Sequence, residues 1–383
     1  MFANKYRQRL ISQKRAGLFR DPPLLGKREG KHLFIDGRKI LNFSSNDYLG
    51  LGDSEVIREK AARNFLKYGS SASSSRLVCA NYDIVREAES EYARYFGYDE
   101  ALFFQSGYQA NLAIISTFFD KNDIVIFDKH IHASSIKGIM LSGSHFIGYK
   151  HGSADHLEKR LLKFPHGSTA VLTESLFSMD GDIPDFEIIE KLKNRYKFLI
   201  IVDEAHAFGA IGSGGRGLAG NIADIALGTF GKALGFFGAF ALLPEGFKSY
   251  LFNFASPLIY STSLPPAHAA TALDILKILE NSEYLRDRLA QNSELIKARL
   301  AAEEFKVYGD AHIVAVEIGD EKKTWEISRR LLEKGIFVFS ARYPTVPLGK
   351  SILRLSMAAV HEPEDIDYFV ENLKEVYRDV IFK

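Results

Sequence analysis

Phe198-Leu199-Ile200-Ile201-Val202-Asp203-Glu204-Ala205-His206 joins an unbroken apolar run to a cluster of ionisable side chains. Five apolar residues without in/out alternation are what a strand buried on both faces requires. The polar residues just past it lie where open α/β sheets collect ligands, at the carboxyl ends of their strands. The pattern recurs at Ala101 to Phe104, Ile124 to Phe127, Ala170 to Leu172, Ile225 to Leu227 and Gly238 to Leu243, with Asp128, Glu174 and Thr229 at the ends. Helical stretches separate these runs, so the middle of the chain reads as an α/β domain on a mainly parallel sheet.

The texture changes near residue 270. Helical patterns occupy Ala267 to Leu279, Glu283 to Phe305 and Thr324 to Lys334, with strand-like runs at Ile313 to Ile318 and Ile352 to Ser356. A last helix opens near Pro363 and puts Ile366, Phe369, Val370, Leu373, Val376 and Tyr377 on one face. The expected division is an N-terminal segment over 1–40, a large α/β domain over 41–270 and a smaller α+β domain over 271–383. Gly69 to Ser75 is the clearest irregular segment of the first half.

The 383 residues carry a net charge of +1, which supplies no field for nucleic acid or an anionic membrane. One cysteine, Cys79, excludes an internal disulfide framework and a cysteine metal cluster, and favours a reducing, cytoplasmic setting. No apolar run approaches the roughly 20 residues of a membrane span. The first twenty residues are basic, with Lys5, Arg7, Arg9, Lys14, Arg15 and Arg20. A surface helix is preferred there over a transit peptide, because Asp21-Pro22-Pro23 follows and no small-residue cleavage site does.

Asp203-Glu204-Ala205-His206 admits a nucleotide-binding reading, but that needs a GxxxxGK[ST] loop. At Gly231-Lys232 the next residue is Ala233, and Ala226 stands at the first glycine position. Gly212-Ser213-Gly214-Gly215-Arg216-Gly217 matches GxGxxG, yet no convincing helix follows, and a loop beside a site fits better. Gly228-Thr229-Phe230-Gly231-Lys232-Ala233-Leu234-Gly235 sets a lysine between glycines past a buried strand. Small, apolar surroundings let another group approach closely and disfavour the charged amine, making it a better nucleophile toward aldehydes.

Pyridoxal phosphate (PLP) asks for an amine, a carboxylate for its pyridine nitrogen, a phosphate cup and a stacking partner. Lys232 offers the amine and Asp203 the carboxylate. Ser106-Gly107-Tyr108, between a strand and a helix beginning near Gln109, offers backbone N–H groups to a phosphate. His132, in Asp128-Lys129-His130-Ile131-His132-Ala133-Ser134, can lie on the ring face; taken alone it reads more readily as a satisfied surface or core histidine. Zinc at His130 and His206 lacks the usual ligand spacing, and no metal is expected.

With these residues assembled, the chain resembles the α-oxoamine synthases, PLP-dependent transferases of fold type I, from about residue 17 onward. The resembling blocks are Asn42 to Leu51, Ser106 to Asn111, His132-Ala133-Ser134, Phe177 to Asp182, Val202 to His206, Thr229 to Gly235 and Pro344-Thr345-Val346-Pro347. The resemblance implies that Lys232 carries the Schiff base and later takes the Cα proton of an amino acid. It implies His132 on the ring, Asp203 at the pyridine nitrogen, His206 at the phenolic oxygen and Ser178 also at the cofactor. Gly107, Tyr108 and Thr229 would hold the phosphate, with Ser261 and Thr262 of a partner subunit completing the cup. Asn46, His132, Thr345 and Arg354 would contact substrate. Arg354 would take the amino acid carboxylate with its planar fork, and Arg20 the acyl donor. An obligate homodimer with shared active sites is implied.

Within that family, Ser44 to Tyr48 and Lys232 to Ala239 look most like the member that joins L-alanine to a pimeloyl thioester, on CoA or a carrier protein, for biotin. Three stretches depart from the family pattern: Gly69 to Arg76 has serines where glycines are usual, Val85 stands where a histidine is frequent, and His151-Gly152-Ser153 replaces His-Asn-Asp. A long-chain or signalling amino-ketone synthase, similar to serine palmitoyltransferase or glycine C-acetyltransferase, stays open. So, from other classes, do a nucleotide-binding module and a catalytically silent scaffold.

Overall fold

The computed structural model describes residues 2–164 and 168–382. By packing, the chain divides into two units: Met1–Tyr48, Met179–Asp182 and Arg288–Lys383 form the smaller, Leu49–Ser178 and Ile183–Asp287 the larger. The N-terminal segment thus groups with the C-terminal one, and the large unit runs on to Asp287.

The chain begins with α1 (Phe2–Arg15), β1 (Arg28–Glu29), β2 (His32–Ile35) and β3 (Arg38–Asn42). The large unit contributes α2 (Glu55–Tyr68), α3 (Asp83–Phe96), β4 (Glu100–Phe104), α4 (Gly107–Phe118), β5 (Ile124–Asp128), α5 (Ala133–Ser142), β6 (His145–Tyr149) and α6 (Ala154–Leu161). It continues with β7 (Thr169–Glu174), α7 (Phe186–Tyr196), β8 (Leu199–Asp203), β9 (Ile225–Thr229), β10 (Ala239–Leu243), α8 (Phe247–Phe254), α9 (Ser256–Ile259) and α10 (Pro266–Glu280). After α11 (Glu283–Ala302) come β11 (Val307–Tyr308), β12 (Ile313–Gly319), α12 (Glu321–Glu333), β13 (Ile336–Phe337), β14 (Phe339–Ala341), β15 (Ser351–Ser356) and α13 (Pro363–Phe382).

The large unit is built on one seven-stranded sheet of order β4-β10-β9-β8-β7-β5-β6. Pairs from β9 to β6 are parallel; β10 runs antiparallel to both β9 and β4. Every residue of β7 and β10 is buried, which is why these strands read as continuous apolar runs. All six expected strands are present. The one missed, β6, is an edge strand whose His145 and Phe146 are exposed. Helix α4 packs closely on α5: a Cβ at Gly138 would lie 2.8 Å from the Ile115 Cβ. The parallel core thus turns the ends of β5, β7, β8 and β9 the same way.

The smaller unit holds two four-stranded sheets, β1-β2-β3-β13 and β11-β12-β15-β14. Helix α13 buries Ile366, Phe369, Val370, Leu373 and Val376, the face its periodicity marks. No residue of α1 is buried, as a surface helix requires. The segment 179–182 lies against β12: Asp310 N–H donates to the Gly181 carbonyl at 2.8 Å, and a Cβ on Gly181 would meet the Ile313 carbonyl at 2.1 Å.

Candidate active site

Lys232 sits in the hairpin between β9 and β10, half-buried between the buried Phe230 and Ala233. The loop is fixed by its own backbone. Phe230 N–H donates to Gly238 C=O (3.0 Å), Phe236 N–H to Phe230 C=O (2.9 Å) and Gly235 N–H to Lys232 C=O (2.9 Å). Gly235 has φ +65°, and a Cβ there would come within 2.4 Å of Gly52 N, so only glycine fits. The Thr229 hydroxyl donates to Gly238 C=O and accepts from Gly231 N–H. On the far side, His268 Nε2 donates to Phe237 C=O at 2.6 Å, and burial holds its pKa down at about 4, so the ring is neutral. These bonds make Lys232 a rigidly mounted amine rather than a solvated loop lysine.

Asp203 closes β8 on the same side of the sheet. Its Oδ2 accepts from Asn111 Nδ2 (2.9 Å) and its Oδ1 from Ala205 N–H (3.0 Å). Asn111, on α4, accepts in turn from the Ser135 hydroxyl of α5 (2.9 Å). The relay from Ser135 through Asn111 to Asp203 orients the carboxylate and leaves it lone pairs for a further donor. The close α4–α5 packing at Gly138 makes this relay possible. His132 caps α5. Its Nδ1 accepts from Ser134 N–H (3.3 Å) and lies 2.6 Å from Ser134 Oγ, so the proton of the neutral ring is on Nε2. Burial first, then Lys232, lowers the His132 pKa against the pull of Asp203, which favours the neutral imidazole. Tyr108 meets the His132 ring edge-on at 6.4 Å. His206 is buried in the turn after Asp203, and Ser178 is half-buried after β7.

The neighbouring acid does other work. Glu204 turns from Asp203 and accepts from the N–H groups of Leu218 and Ala219. Burial pushes its carboxyl up to about 7. A Cβ on Gly217 would collide with this carboxyl at 2.6 Å, and one on Gly212 with the Gly217 carbonyl at 1.9 Å. The GxGxxG stretch is therefore a turn folded onto itself and Glu204, not a phosphate loop. His130 likewise stacks on His151 at 3.8 Å. His151 Nδ1 and Gly152 N–H both bond the buried Asp128, so the departure from His-Asn-Asp leaves a satisfied corner.

At the start of α4 the Ser106 hydroxyl accepts from Gln109 N–H, which places Gly107 and Tyr108 in the open first turn, where N–H groups and the helix dipole favour an anion. Gln109 Nε2 donates to Ser261 Oγ (3.1 Å), and Gln105 Nε2 donates to Thr262 C=O. Within the one chain, Ser261 and Thr262 are thus fastened beside this turn. The Gly69–Arg76 loop is irregular, and Ser263 N–H donates to Ser74 C=O at 2.8 Å.

In the smaller unit, Arg354 on β15 is buried and donates to Asn46 Oδ1 (3.1 Å) and to the Ser356 hydroxyl. Tyr48 OH also donates to Asn46 Oδ1 (3.1 Å). Arg20 and Thr345 are exposed. Both relate to Arg342, which donates to Gly17 C=O at 2.6 Å and is held below its usual pKa by burial and the Arg20 charge. Thr345 N–H donates to Arg342 C=O. The structure therefore pairs Asn46 with Arg354, and Arg20 and Thr345 with Arg342.

The donor set of the large unit fits PLP. It offers a mounted amine, an oriented carboxylate, a neutral imidazole and an open helix N-terminus on one side of a sheet. A profile for aminotransferase class I and II matches residues 38–373. The chain belongs to this family. It is an α-oxoamine synthase of fold type I, a PLP-dependent acyltransferase. Among its relatives are the 8-amino-7-oxononanoate synthase of Trichlorobacter lovleyi, 38% identical over 97% of each chain, and a putative one of Acetivibrio thermocellus, 37% identical over 94% of each. Among solved structures, the serine palmitoyltransferase of S. paucimobilis, with PLP and myriocin bound, superposes with TM-score 0.92 at 27% identity, covering 99% of this chain and 98% of that one. The 8-amino-7-oxononanoate synthase of Francisella tularensis does so at 0.76 with 34% identity, over 88% and 97%.

In this synthase three side chains not named as site residues from the sequence hold those that were: Asn111, Gln109 and Glu174. Asn111 closes the Ser106 to Asn111 block, and Glu174 stands at the end of an apolar run. Gln109 lies in the same block as Asn111, at the start of the helix that follows Ser106.

Proposed function

We propose that this α-oxoamine synthase condenses L-alanine with a pimeloyl thioester, on CoA or a carrier protein, to give 8-amino-7-oxononanoate for biotin. The observation that carries the reading is 37–38% identity to synthases of that name along nearly the whole chain. The enzyme acts as a cytoplasmic homodimer with shared active sites.

PLP supplies an aldehyde for the amino group and an electron sink for the Cα carbanion. Lys232 would hold the cofactor through its amine and would serve as the base for the amino acid Cα proton. Asp203, oriented by Asn111, would hold the pyridine nitrogen in its protonated form. Neutral His132 would lie on the ring, His206 would bond its phenolic oxygen, and Ser178 would also contact the cofactor. Gly107, Tyr108 and Thr229 would hold the phosphate, and Ser261 and Thr262, which within one chain are bonded to Gln109 and Gln105 beside that turn, would complete the cup. Arg354 would take the amino acid carboxylate, Asn46 and Thr345 would contact substrate, and Arg20 would bind the acyl donor. The amino acid Cα attacks the thioester carbonyl and the thiol leaves. The β-keto acid then loses carbon dioxide, and protonation at Cα gives the amino ketone.

The test is a matrix of amino acids against acyl-CoA chain lengths, read by product mass. Alanine with pimeloyl-CoA is expected to give the nine-carbon amino ketone; no product from that pair, with turnover of another, rejects the biotin reading. A second reading, serine with a long acyl chain, is favoured by the 0.92 superposition on serine palmitoyltransferase. The same matrix decides it.

A further inference from the structure

One buried acid of the large unit has no part in that chemistry. Glu174 is the last residue of β7, 3% exposed, and stands in register with Asp203 on β8. Its Oε1 accepts the backbone N–H of His132 at 2.5 Å. Residue 132 is therefore gripped twice: its peptide by Glu174 and its Nδ1 by Ser134.

We propose that Glu174 is a positioning residue for the α-oxoamine synthase reaction, its carboxyl fixing the His132 backbone so that the imidazole is in place before the cofactor arrives. The inference rests on the reading that puts His132 on the PLP ring.

The charge state of Glu174 follows from its neighbours. Two carboxyls at paired strand ends in a dry environment do not both ionise cheaply. Asp203 has two donors, Asn111 and Ala205, whereas the bond from His132 is the backbone support of Glu174. Facing Glu174 are Asp203, Asp128 and Lys232. Burial and then the Asp203 charge raise its pKa well above the carboxylate range, against the opposing pull of Lys232. Burial and the adjacent Asp203 thus favour the neutral form of Glu174, with one oxygen accepting from His132. A side chain of the same shape with a carbonyl acceptor and no charge should replace it.

That is what Glu174→Gln provides and Glu174→Leu does not. In the holoenzyme, the PLP dissociation constant and the pH titration of the Schiff-base band are to be measured for both, alone and with His132→Ala. Glu174→Gln should stay within about threefold of the parent with an unchanged pH profile. Glu174→Leu should weaken PLP binding by roughly tenfold, the loss of one hydrogen bond that leaves a buried donor unpaired. In the His132→Ala background the leucine should add less than about twofold, because the two residues act as one unit. Glutamine as harmful as leucine, or leucine equally harmful without the His132 ring, overturns the proposal. Hydrogen exchange at the His132 amide, read on cofactor-free parent and Glu174→Gln protein, serves if the leucine variant does not fold. Slow exchange in both supports the role and fast exchange in the parent defeats it. A parent chain that binds no PLP defeats the underlying reading instead, and leaves the exchange result to stand by itself.

Discussion

The two units hold their polar side chains by opposite means. In the large unit, Asp203, Glu174 and Lys232 sit at or just past the ends of strands whose apolar bodies are packed in the sheet. The strand positions the residue, and each is found by reading along the chain. In the smaller unit, Arg354 lies in the middle of β15, and its partner Asn46 comes from a loop near the other end of the sequence. There the positioning is done by side chains meeting across the unit. Strand-end chemistry depends on sheet integrity, whereas the Arg354 cluster depends on a few hydrogen bonds.

The sharpest way to break this contrast is at Lys232. Lys232→Ala should abolish the Schiff-base absorbance and lower turnover by roughly 10³-fold, the scale of a lost proton-transfer group, with the thermal midpoint of the apo-protein nearly unchanged. A retained band would remove the large unit from the chemistry. Next is the Asp203 relay. Asp203→Asn should cost about 10²-fold in kcat, and Asn111→Ala a smaller part of it with the carboxylate still present; an Asn111→Ala enzyme equal to the parent would show that the relay orients nothing.

Each unit also carries a buried neutral histidine, which compares them by pH. His268 and His361 both have pKa values lowered by burial from 6.5 to about 4. His361 Nε2 donates to Asn42 C=O at 3.0 Å and its Nδ1 accepts from Ala358 N–H at 3.1 Å. With the folded pKa depressed, the unfolded chain binds the extra proton. Stability is therefore full above pH 6.5 and falls as pH drops toward 4, by on the order of 3 kcal/mol per histidine. Urea midpoints across that window check it, and His361→Gln should flatten the smaller unit's share. A midpoint independent of pH there would contradict both burials. The smallest effect is expected at Arg354. Arg354→Lys keeps charge but loses the planar fork, and should raise the amino acid KM roughly tenfold with kcat little changed. An equal fall in kcat would move Arg354 from binding to chemistry.

What could be read from the sequence follows the same division. The six buried strands, the Lys232 hairpin and the Asp203 terminus were legible because unbroken apolar runs and close-set glycines occur in few other structural settings. The edge strand β6 was not, since exposed His145 and Phe146 leave its hydrophobic signal mixed. Asn111 was hidden inside a helix whose pattern is apolar, and only the approach of α5 at Gly138 reveals why an amide is buried there. Glu204 shows the reverse hazard. Adjacent to Asp203 and equally acidic, it spends its carboxyl on the backbone of 218–219, because neighbours along a chain leaving a strand point different ways.

The placement of β10 has a consequence for how the protein is made. This strand runs against its neighbours and fills the gap between β9 and β4, pairing Ala239 with both Thr229 and Phe104. The Lys232 hairpin is closed by its own short bonds, but the Gly107 turn that follows β4 joins it only through the pairing of β10 with β4, which spans more than a third of the sequence. Such distant pairing is slow to form. The lysine therefore meets the Gly107 turn late, after the sheet has closed, and the yellow colour of the bound vitamin should develop during refolding in step with the β10–β4 pairing rather than with the earlier gain of helix.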